Sequence, residues 1–384
     1  MKIKTINIIC AYYIPHVGGV EKFVSNQKKE LTKLGFQVNI ITSNSDNLSF
    51  EENNNGKIYR LSALDFSPKL PMPLPYNIFQ IVKVFTQCFL KRNTLTIIHT
   101  RYYPSSLLGT FMGGLVRSKT IVIDHSSGYI SFNNKYLDAI SKLYEHLMTF
   151  IIKLFRPRFY GVSKACNEWL KTFGIKASGV YYNGIDFGYE LKETFDVHKK
   201  HNIGPYIFYA GRLIKEKGII ELLNGFESFS KVNPDYHLLI AGNGLLANEV
   251  DSYAKKNSKI IFLGRLGQDE VFNYIKDAWV FVNPSNYPEG LPTVLLESGK
   301  FETAVISTPN GGAKEIIVDR ETGILISSGQ ADLIKEALQL ISDNEMLRQK
   351  IAKNLYNLVK NQFDWPIITK NFLTNILTLE NEKN

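Results

Sequence analysis

Two glutamates eight positions apart are the residues of this sequence best suited to chemistry. Glu289 and Glu297 lie in the segment 283–297, NPSNYPEGLPTVLLE. A carboxylate accepts hydrogen bonds from hydroxyls, so each glutamate could hold one end of a polyhydroxylated phosphate ester. Glu297 follows Pro292 by five residues, roughly 7.5 Å along a helix axis. This spacing argues against two carboxylates acting together on one glycosidic bond.

The residues between the glutamates are suited to bind an anion. Gly290, Leu291, Pro292 and Thr293 lie where a polar loop meets an apolar run, which predicts a helix with Pro292 at its first position. The first N–H groups of a helix lack partners within the helix and the helix dipole is positive there, so a phosphate would be held by the backbone. A capped core helix with two solvated glutamates is the other interpretation.

Two cations in one turn could bind a diphosphate. Arg212 and Lys217 are five residues apart, after the apolar run Tyr206–Ala210 and before a helical pattern. Arg can make a forked contact with phosphate oxygens, and Lys acts as a point charge. Solvated surface charges would have the same pattern. The glycine pair at 311–312 opens a further helical segment and suits close backbone approach.

A glycine pair and a histidine are the candidates in the first half of the chain. Gly18 and Gly19 follow the apolar run 6–11 and would let a backbone approach a ligand, although an ordinary tight turn uses the same pair. The G-x-G-x-x-G pattern of dinucleotide-binding turns does not occur there. His125 follows the apolar run 120–124, at the end of a strand where open α/β sheets bind ligands. A purely structural histidine fits that place equally.

Short apolar runs that alternate with helical patterns predict the elements that hold these residues. Such alternation is typical of βαβ units in doubly wound parallel sheets. The predicted strands are 6–11, 38–42, 58–61, 95–99, 120–124, 158–162 and 179–182 in the first half, and 206–210, 236–241, 260–263, 279–282, 304–307 and 323–326 in the second.

The chain length of 384 residues predicts two domains, because one hydrophobic core rarely serves so long a chain. We place them at 1–190 and 203–362, with the polar segment Glu190–Asn202 as the linker. Residues 332–362 are predicted to be helical, and a final helix, Ile367–Leu379, follows the break at Asp364-Trp365-Pro366. Residues 363–384 could pack back across the domain boundary.

Positive charge is concentrated in the first half. The whole chain carries +9, whereas residues 1–190 hold 23 Lys and Arg against 12 Asp and Glu, a net +11. Such asymmetry suggests an anionic partner. The segments Lys69–Arg92 and Tyr136–Arg158 mix apolar and basic residues, as helices in a membrane interface do, and as core helices of a basic domain also do. No Lys/Arg-rich block or aromatic nucleic-acid motif occurs, so nucleic acid is disfavoured.

Cysteine usage and the apolar segments indicate a cytoplasmic protein. Cys10, Cys88 and Cys166 are odd in number and lack metal-ligand spacing, which predicts buried thiols in a reducing compartment. No segment approaches the roughly 18 uncharged apolar residues of a membrane span. The N-terminal apolar run contains Asn7 and lacks a small-residue cleavage site, so a strand is favoured over a signal peptide. We expect a cytoplasmic protein, with peripheral binding to the inner face of the cell membrane as an open alternative.

Taken together, the motifs resemble those of the retaining glycosyltransferases of family 4. The resemblance extends from about residue 4 to 380, and the E-x7-E spacing is its most specific feature. It is carried by the motifs 18–21 (GGVE), 183–186 (NGID), 211–213 (GRL) with 217–218 (KG), 242–244 (GNG), 288–297 (PEGLPTVLLE) and 311–315 (GGAKE).

The resemblance implies a GT-B fold of class α/β. It consists of two facing Rossmann-like, doubly wound parallel-sheet domains, with a C-terminal helix crossing back to the first domain. The first domain would bind the acceptor and the second a nucleotide-diphosphate sugar. Glu297 would bind the ribose, Arg212 and Lys217 the diphosphate, and Glu289 the donor sugar. From the first domain, Gly19 would face the phosphate and His125 would contact the sugar.

The expected activity is a retaining hexosyl transfer to a hydroxyl of a lipid-linked or cell-surface glycan precursor. No carboxylate is placed as an obvious nucleophile, so we favour front-face attack, with the leaving phosphate accepting the acceptor's proton. No D-x-D sequence occurs, and two cations can stabilise the leaving group, so we expect no metal and no cofactor. The alternatives are a nucleotide-sugar isomerase (epimerase), a non-catalytic nucleotide-sugar-binding module and a phosphorylase.

Overall fold

The computed structural model describes residues 3–16, 18–44, 51–53, 56–65, 72–91, 93–130 and 134–381. The chain forms two compact units. The first contains residues 1–183 and 368–384, and the second contains residues 184–367. Lys69, Leu70, Pro71 and Arg92 of the first basic apolar segment lie outside the described residues.

The described part of the first unit is built on a mainly parallel sheet. Its strands are β1 Thr5–Ile9, β2 Gln37–Asn44, β3 Glu51–Asn53, β4 Gly56–Leu64, β5 Leu74–Pro75, β6 Thr94–His99, β7 Lys119–Asp124, β8 Arg158–Gly161 and β9 Gly179–Val180. Its helices are α1 Gly19–Lys33, α2 Ile78–Val84, α3 Pro104–Leu115, α4 Lys135–Leu154 and α5 Lys164–Lys171, and α2 continues as a π-helical turn, Phe85–Phe89.

The parallel strands of this sheet have the order β4-β2-β1-β6-β7-β8-β9. The order reverses between β1 and β6, because α1 leads to one side of β1 and the later connections to the other. Strands β3 and β5 are antiparallel to β4, and the apolar runs did not predict them. All five residues of β1 are buried, as expected for a parallel strand covered on both faces.

The second unit contains a fully parallel sheet. Its strands are β10 Tyr206–Ala210, β11 His237–Ala241, β12 Ile260–Gly264, β13 Val280–Asn283, β14 Val305–Ser307 and β15 Ile324–Leu325. The helices that follow α5 are α6 Val197–His201, α7 Ile219–Ser230, α8 Ala247–Lys256, α9 Gln268–Asp277, α10 Thr293–Lys300, α11 Ala331–Ser342, α12 Glu345–Gln362 and α13 Trp365–Asn381. The strand order is β12-β11-β10-β13-β14-β15. The predicted doubly wound α/β fold is confirmed in both units.

Three element boundaries differ from the sequence prediction. The helix expected to begin at Pro292 begins at Thr293, and Pro292 is its N-cap. The helical stretch predicted over 332–362 is two helices, because Asn344 caps a new helix through its side chain. The polar segment 190–202 contains α6 and belongs to the second unit, where the backbone N–H of Phe195 donates to the Asn273 side chain.

From Ile368 onward, α13 packs within the first unit. The ring of Phe372 stacks on Tyr181 with centroids 3.9 Å apart, and the Tyr160 hydroxyl donates to Asn375 Oδ1 at 2.7 Å. The predicted return of the terminal helix to the first domain is therefore confirmed. Cys10, Cys88 and Cys166 are buried thiols, as predicted.

Candidate active site

The polar candidates of the second unit converge at one edge of its sheet. Strands β10 and β13 are neighbours at the point where the strand order reverses. Open α/β sheets bind ligands at such a point, outside the carboxyl ends of the strands. The loop after β10 carries Arg212 and Lys217, and the loop after β13 leads through Glu289 to α10. Tertiary structure thus brings together loops that are about 70 residues apart in sequence.

Glycines fix the loop after β10 against its neighbours. Gly218 has φ +68° and lies against the backbone carbonyl of Pro284, where a Cβ would clash. Gly242 and Gly244 likewise lie against the backbone of Gly211 and Leu213. A side chain at any of these positions would push the loop after β10 away from the loop that it contacts. The glycines therefore set the positions of Arg212 and Lys217.

Lys217 and Glu289 form an ion pair through Nζ and Oε1. Their side chains are only 13% and 21% exposed. Both Lys217 Nζ and the Arg212 guanidinium lie 5.3 Å from the centroid of the Tyr287 ring, within the range of cation–π attraction. Arg212 itself is exposed. Three predicted site residues therefore cluster around Tyr287, which sequence reasoning did not single out.

A buried tyrosine lies beneath this cluster. The Tyr209 hydroxyl donates to the backbone carbonyl of Arg212 at 3.0 Å. Burial, and then the negative charge of Glu289, raise the pKa of this hydroxyl above its ordinary value, while Arg212 lowers it. Tyr209 therefore remains a neutral donor that fixes the Arg212 backbone.

The second glycine pair supports Glu289. Gly311 has φ +56° and lies so close to the Glu289 carbonyl that a Cβ would clash with it. The backbone N–H of Gly312 points towards the carbonyls of Glu289, at 3.3 Å, and Gly290, at 3.1 Å. The predicted close backbone approach at this glycine pair therefore occurs, and the group approached is the backbone of the Glu289 loop.

The start of α10 has the features of an anion site. Gly290, Leu291 and Pro292 are buried and Thr293 is half-buried. Pro292 as N-cap has no side-chain acceptor for the first N–H groups, so these donors remain suited to an anionic ligand. Glu297 is half-buried in the second turn of the helix.

The glycine pair of the first unit divides into two roles. Gly18 is the N-cap of α1, and a Cβ there would clash with the Glu21 carboxylate, which accepts from His16 Nδ1 at 3.0 Å when that nitrogen carries a proton. Above Gly19 there is open space. Of the two, only Gly19 leaves room for a ligand, while Gly18 accommodates the side chain of Glu21.

His125 follows β7 and belongs to a hydrogen-bonded chain. His125 Nε2 lies 2.8 Å from His99 Nδ1, and His99 Nε2 lies 2.9 Å from Gln27 Oε1. Because the Gln27 oxygen can only accept, His99 carries its proton on Nε2, and His125 Nε2 donates to His99 Nδ1. Burial lowers the pKa of His125 to about 4 and that of His99 well below its ordinary value. Both imidazoles are neutral at pH 7.

A buried ionic network fixes the loop that carries His125. Arg101 is fully buried and pairs with Asp124 and, at 2.6 Å, with Glu145. The other Asp124 oxygen accepts from the Ser126 backbone N–H at 2.8 Å. Both neighbours of His125 are thus held. Sequence reasoning missed Arg101, His99 and Gln27. The only signal of His99 and Arg101 was a polar or charged residue at the end of an apolar strand, and Gln27 is one of several polar residues of α1.

Of the predicted site residues, Gly18, Gly19 and His125 lie in the first unit, and Phe23 of α1 packs edge-on against His125 at 5.0 Å. The other predicted residues lie in the second unit.

Within the described ranges, no group of three His, Cys, Asp or Glu side chains is arranged to hold a metal ion. None of the described helices is both long and apolar enough to cross a bilayer.

Comparison with known proteins identifies the family. The model for Glycosyltransferase Family 4 matches residues 17–188, and the model for Glycosyl transferases group 1 matches residues 192–358. Together with the two parallel-sheet α/β units, these matches define the class of protein. The chain belongs to the GT-B glycosyltransferases of the group 1 and family 4 type, which confirms the predicted resemblance.

Individual relatives agree with this assignment. The chain is 25% identical over 383 residues to the uncharacterized glycosyltransferase MJ1069 of Methanocaldococcus jannaschii, covering 97% of each chain. It is 29% identical over 196 residues, 48% of this chain and 50% of the relative, to the capsular polysaccharide biosynthesis glycosyltransferase CapM of Staphylococcus aureus. The structure of HepE from Anabaena in complex with UDP matches with a TM-score of 0.74 at 14% identity, over 98% of this chain and 100% of HepE. These proteins give no support to the isomerase alternative.

Proposed function

We propose that this glycosyltransferase transfers a hexosyl residue from a nucleotide-diphosphate sugar to a hydroxyl of a lipid-linked or cell-surface glycan precursor, with retention of configuration and without a metal ion. The observation that carries the proposal is the cluster of Arg212, Lys217 and Glu289 around Tyr287 at the switch point of the second sheet. It combines two cations for a diphosphate with a carboxylate for sugar hydroxyls.

In this proposal the leaving group is stabilised by charge. The bond between the anomeric carbon and the phosphate oxygen breaks, and negative charge grows on the departing diphosphate. Arg212, Lys217 and the N–H groups at the start of α10 oppose that charge. The ammonium of Lys217 has three donor hydrogens, so it can keep its bond to Glu289 while binding a phosphate oxygen.

The remaining contacts follow the family's pattern. Glu297 would accept hydrogen bonds from the ribose hydroxyls. Glu289, held by Lys217 and by the backbone N–H of Gly312, would accept from the donor sugar. From the first domain, Gly19 would face the phosphate and His125, as a neutral imidazole, the sugar. The acceptor hydroxyl bonds to the anomeric carbon on the face that the phosphate leaves, and the phosphate accepts its proton.

The name of the CapM relative and the basic first half of the chain support a glycan precursor held at an anionic membrane surface. One face of α4 strengthens this part of the proposal. Six large apolar side chains at alternating spacings of four and three are 55–72% exposed on it: Tyr136, Ile140, Leu143, Leu147, Phe150 and Leu154. We call them the α4 stripe. An unpaired apolar stripe beside cations is typical of an interfacial helix.

A thermal-shift series with UDP-, GDP- and ADP-sugars tests the donor. One of them should stabilise the protein by about 2.7 kcal/mol at 100 times its Kd, and EDTA should leave that shift unchanged. Proton NMR of slow donor hydrolysis should first show the sugar with the donor's anomeric configuration. Absence of a shift with every nucleotide sugar, or release of the opposite anomer, would contradict the proposal.

A further inference from the structure

A groove on the outside of the first unit is lined almost wholly by apolar side chains. It lies between β5, α2, α3 and α4 and has a volume of about 590 Å³. Its lining includes Pro104, Leu107 and Phe111 from α3, Tyr144 and Ile151 from α4, and the α4 C-cap residue Phe155. Phe111 on its rim is 45% exposed, so the groove is open to solvent.

The groove is elongated along α4. Along α4 its lining extends from Tyr144 to Phe155, eleven residues or roughly 16 Å at about 1.5 Å per residue. At the far end, Phe111 and Phe155 meet edge to face with centroids 5.8 Å apart. Its length therefore suits one extended chain.

The lining has no free polar group for a ligand. The Tyr144 hydroxyl donates to the backbone carbonyl of Tyr102 at 2.9 Å, and the other lining side chains carry no nitrogen or oxygen. A peptide or a sugar would leave its own polar groups unpaired there, which costs free energy. A hydrocarbon chain meets no such penalty.

The surrounding charges indicate an anionic head group. The described segments 78–91, 104–119 and 135–156 carry two acids, of which Asp138 is half-buried and Glu145 is buried. Their exposed cations are Lys83, Lys91, Arg117, Lys119, Lys135, Lys142 and Arg156. Two of them lie towards the carboxyl edge of the sheet, because Lys135 begins α4 and Lys142 Nζ is 5.1 Å from the ring centroid of Tyr129, in the segment between β7 and α4. A second copy of this chain would bring like charges together, whereas phosphate head groups would complement them.

The position of the groove connects it with the proposed reaction. Pro104 begins α3 directly after the segment that follows β6, and the Ser106 hydroxyl donates to the Thr100 carbonyl there at 2.5 Å. One end of the groove therefore lies at the carboxyl edge of the sheet, the edge at which His99 contacts His125.

We propose that this groove binds the hydrocarbon chain of a lipid-phosphate-linked acceptor and so places the acceptor's head group at the carboxyl edge of the first sheet. The inference rests on the proposed function, because it assigns a subsite for that function's acceptor. It is separate from the α4 stripe, which faces outward from the same helix and would contact the membrane surface.

Isothermal titration with decyl and dodecyl phosphate, below their micelle concentrations, tests the groove. We expect one chain per protein and dodecyl phosphate binding about 15-fold more tightly than decyl phosphate, since each buried CH₂ changes affinity about fourfold. Ile151→Trp fills the groove and should weaken binding at least tenfold, as should Phe111→Gln on the facing helix. Inorganic phosphate alone should show no saturable binding.

Leu143→Gln is the matched control, because Leu143 lies on the same helix but in the α4 stripe. Its binding of dodecyl phosphate should stay within twofold of wild type, while its sedimentation with anionic vesicles decreases. The groove proposal is overturned if no saturable binding is seen, if Ile151→Trp and Phe111→Gln bind normally, or if Leu143→Gln loses as much as they do. The nucleotide-sugar thermal shift of the same variants reports separately on the proposed function.

Discussion

The two units share one strand order but use the edges of their sheets differently. In both, the order reverses beside the first strand of the sheet, β1 or β10. The second unit presents partly exposed charges there, Arg212, Lys217 and Glu289, on loops fixed by glycines. The first unit presents two neutral imidazoles, His99 and His125, beside a buried ionic network.

The outer surfaces differ as well. Of the exposed large apolar side chains among the described residues, nineteen lie in the first unit and four in the second. The shared topology therefore supplies only an edge with a crevice. What the edge and the surface can bind depends on the residues after each strand and on which helix faces remain uncovered.

The largest effect should come from the buried network of the first unit. Arg101→Met leaves Asp124 and Glu145 buried without their cation, and breaking such a pair costs about 3–5 kcal/mol. Urea unfolding should show this loss. Lys119→Met removes an exposed cation from the strand that contains Asp124 and should change stability by less than about 0.5 kcal/mol. Equal effects of the two substitutions would contradict the structural role of the network.

The charged edge of the second unit should matter for turnover rather than stability. Lys217→Met removes the cation paired with Glu289, and loss of a contact to the leaving group should lower donor turnover on the order of 10²-fold or more. Lys215→Met alters an exposed cation in the same turn and should remain within a few-fold of wild type. A Lys217→Met enzyme as active as Lys215→Met would remove the proposed leaving-group role.

The imidazole pair should make the first unit sensitive to acid. An unfolded histidine has a pKa near 6.5, whereas burial lowers that of folded His125 to about 4. Between these values the unfolded chain binds more protons, so stability is full above about pH 6.5 and decreases as the pH falls towards 4. The loss from His125 should be about 2 kcal/mol at pH 5.

Hydrogen exchange of β6 and β7, corrected for the intrinsic effect of pH, can measure this loss. His125→Asn removes one titrating group and should show a smaller decrease between pH 7 and pH 5 than wild type. If His125→Asn loses as much stability between pH 7 and pH 5 as wild type does, a group other than His125 causes the acid sensitivity.

The smallest effect is expected on the α4 stripe. Leu143 is 72% exposed and Leu295 of α10 is fully buried. Leu143→Ala should change the unfolding free energy by less than about 0.5 kcal/mol, whereas Leu295→Ala should cost about 2–5 kcal/mol. A large loss at Leu143 in urea unfolding would mean that the stripe packs against protein in solution.

Most of the fold could be predicted from local sequence. Every predicted strand has a counterpart in the structure, because runs such as Thr94–His99 are both β-branched and apolar enough for a sheet covered on two faces. The short antiparallel strands β3 and β5 were missed, since pairs such as Leu74-Pro75 carry no periodic signal. The Glu289 and Arg212 loops were found through their residue types and glycines.

The sequence by itself determined the order of the elements, the basic first half and the identity of the charged groups at the second unit's edge. Only the tertiary structure decided their partners. Lys217 contacts Glu289 across 72 positions, and His99 contacts Gln27 across the same separation, because elements that are distant in the chain pack side by side in the fold. It also decided which face of α4 is covered. Both faces of α4 carry large apolar residues. The buried face also contains Glu145, and its charge is compensated by Arg101, which is distant in sequence.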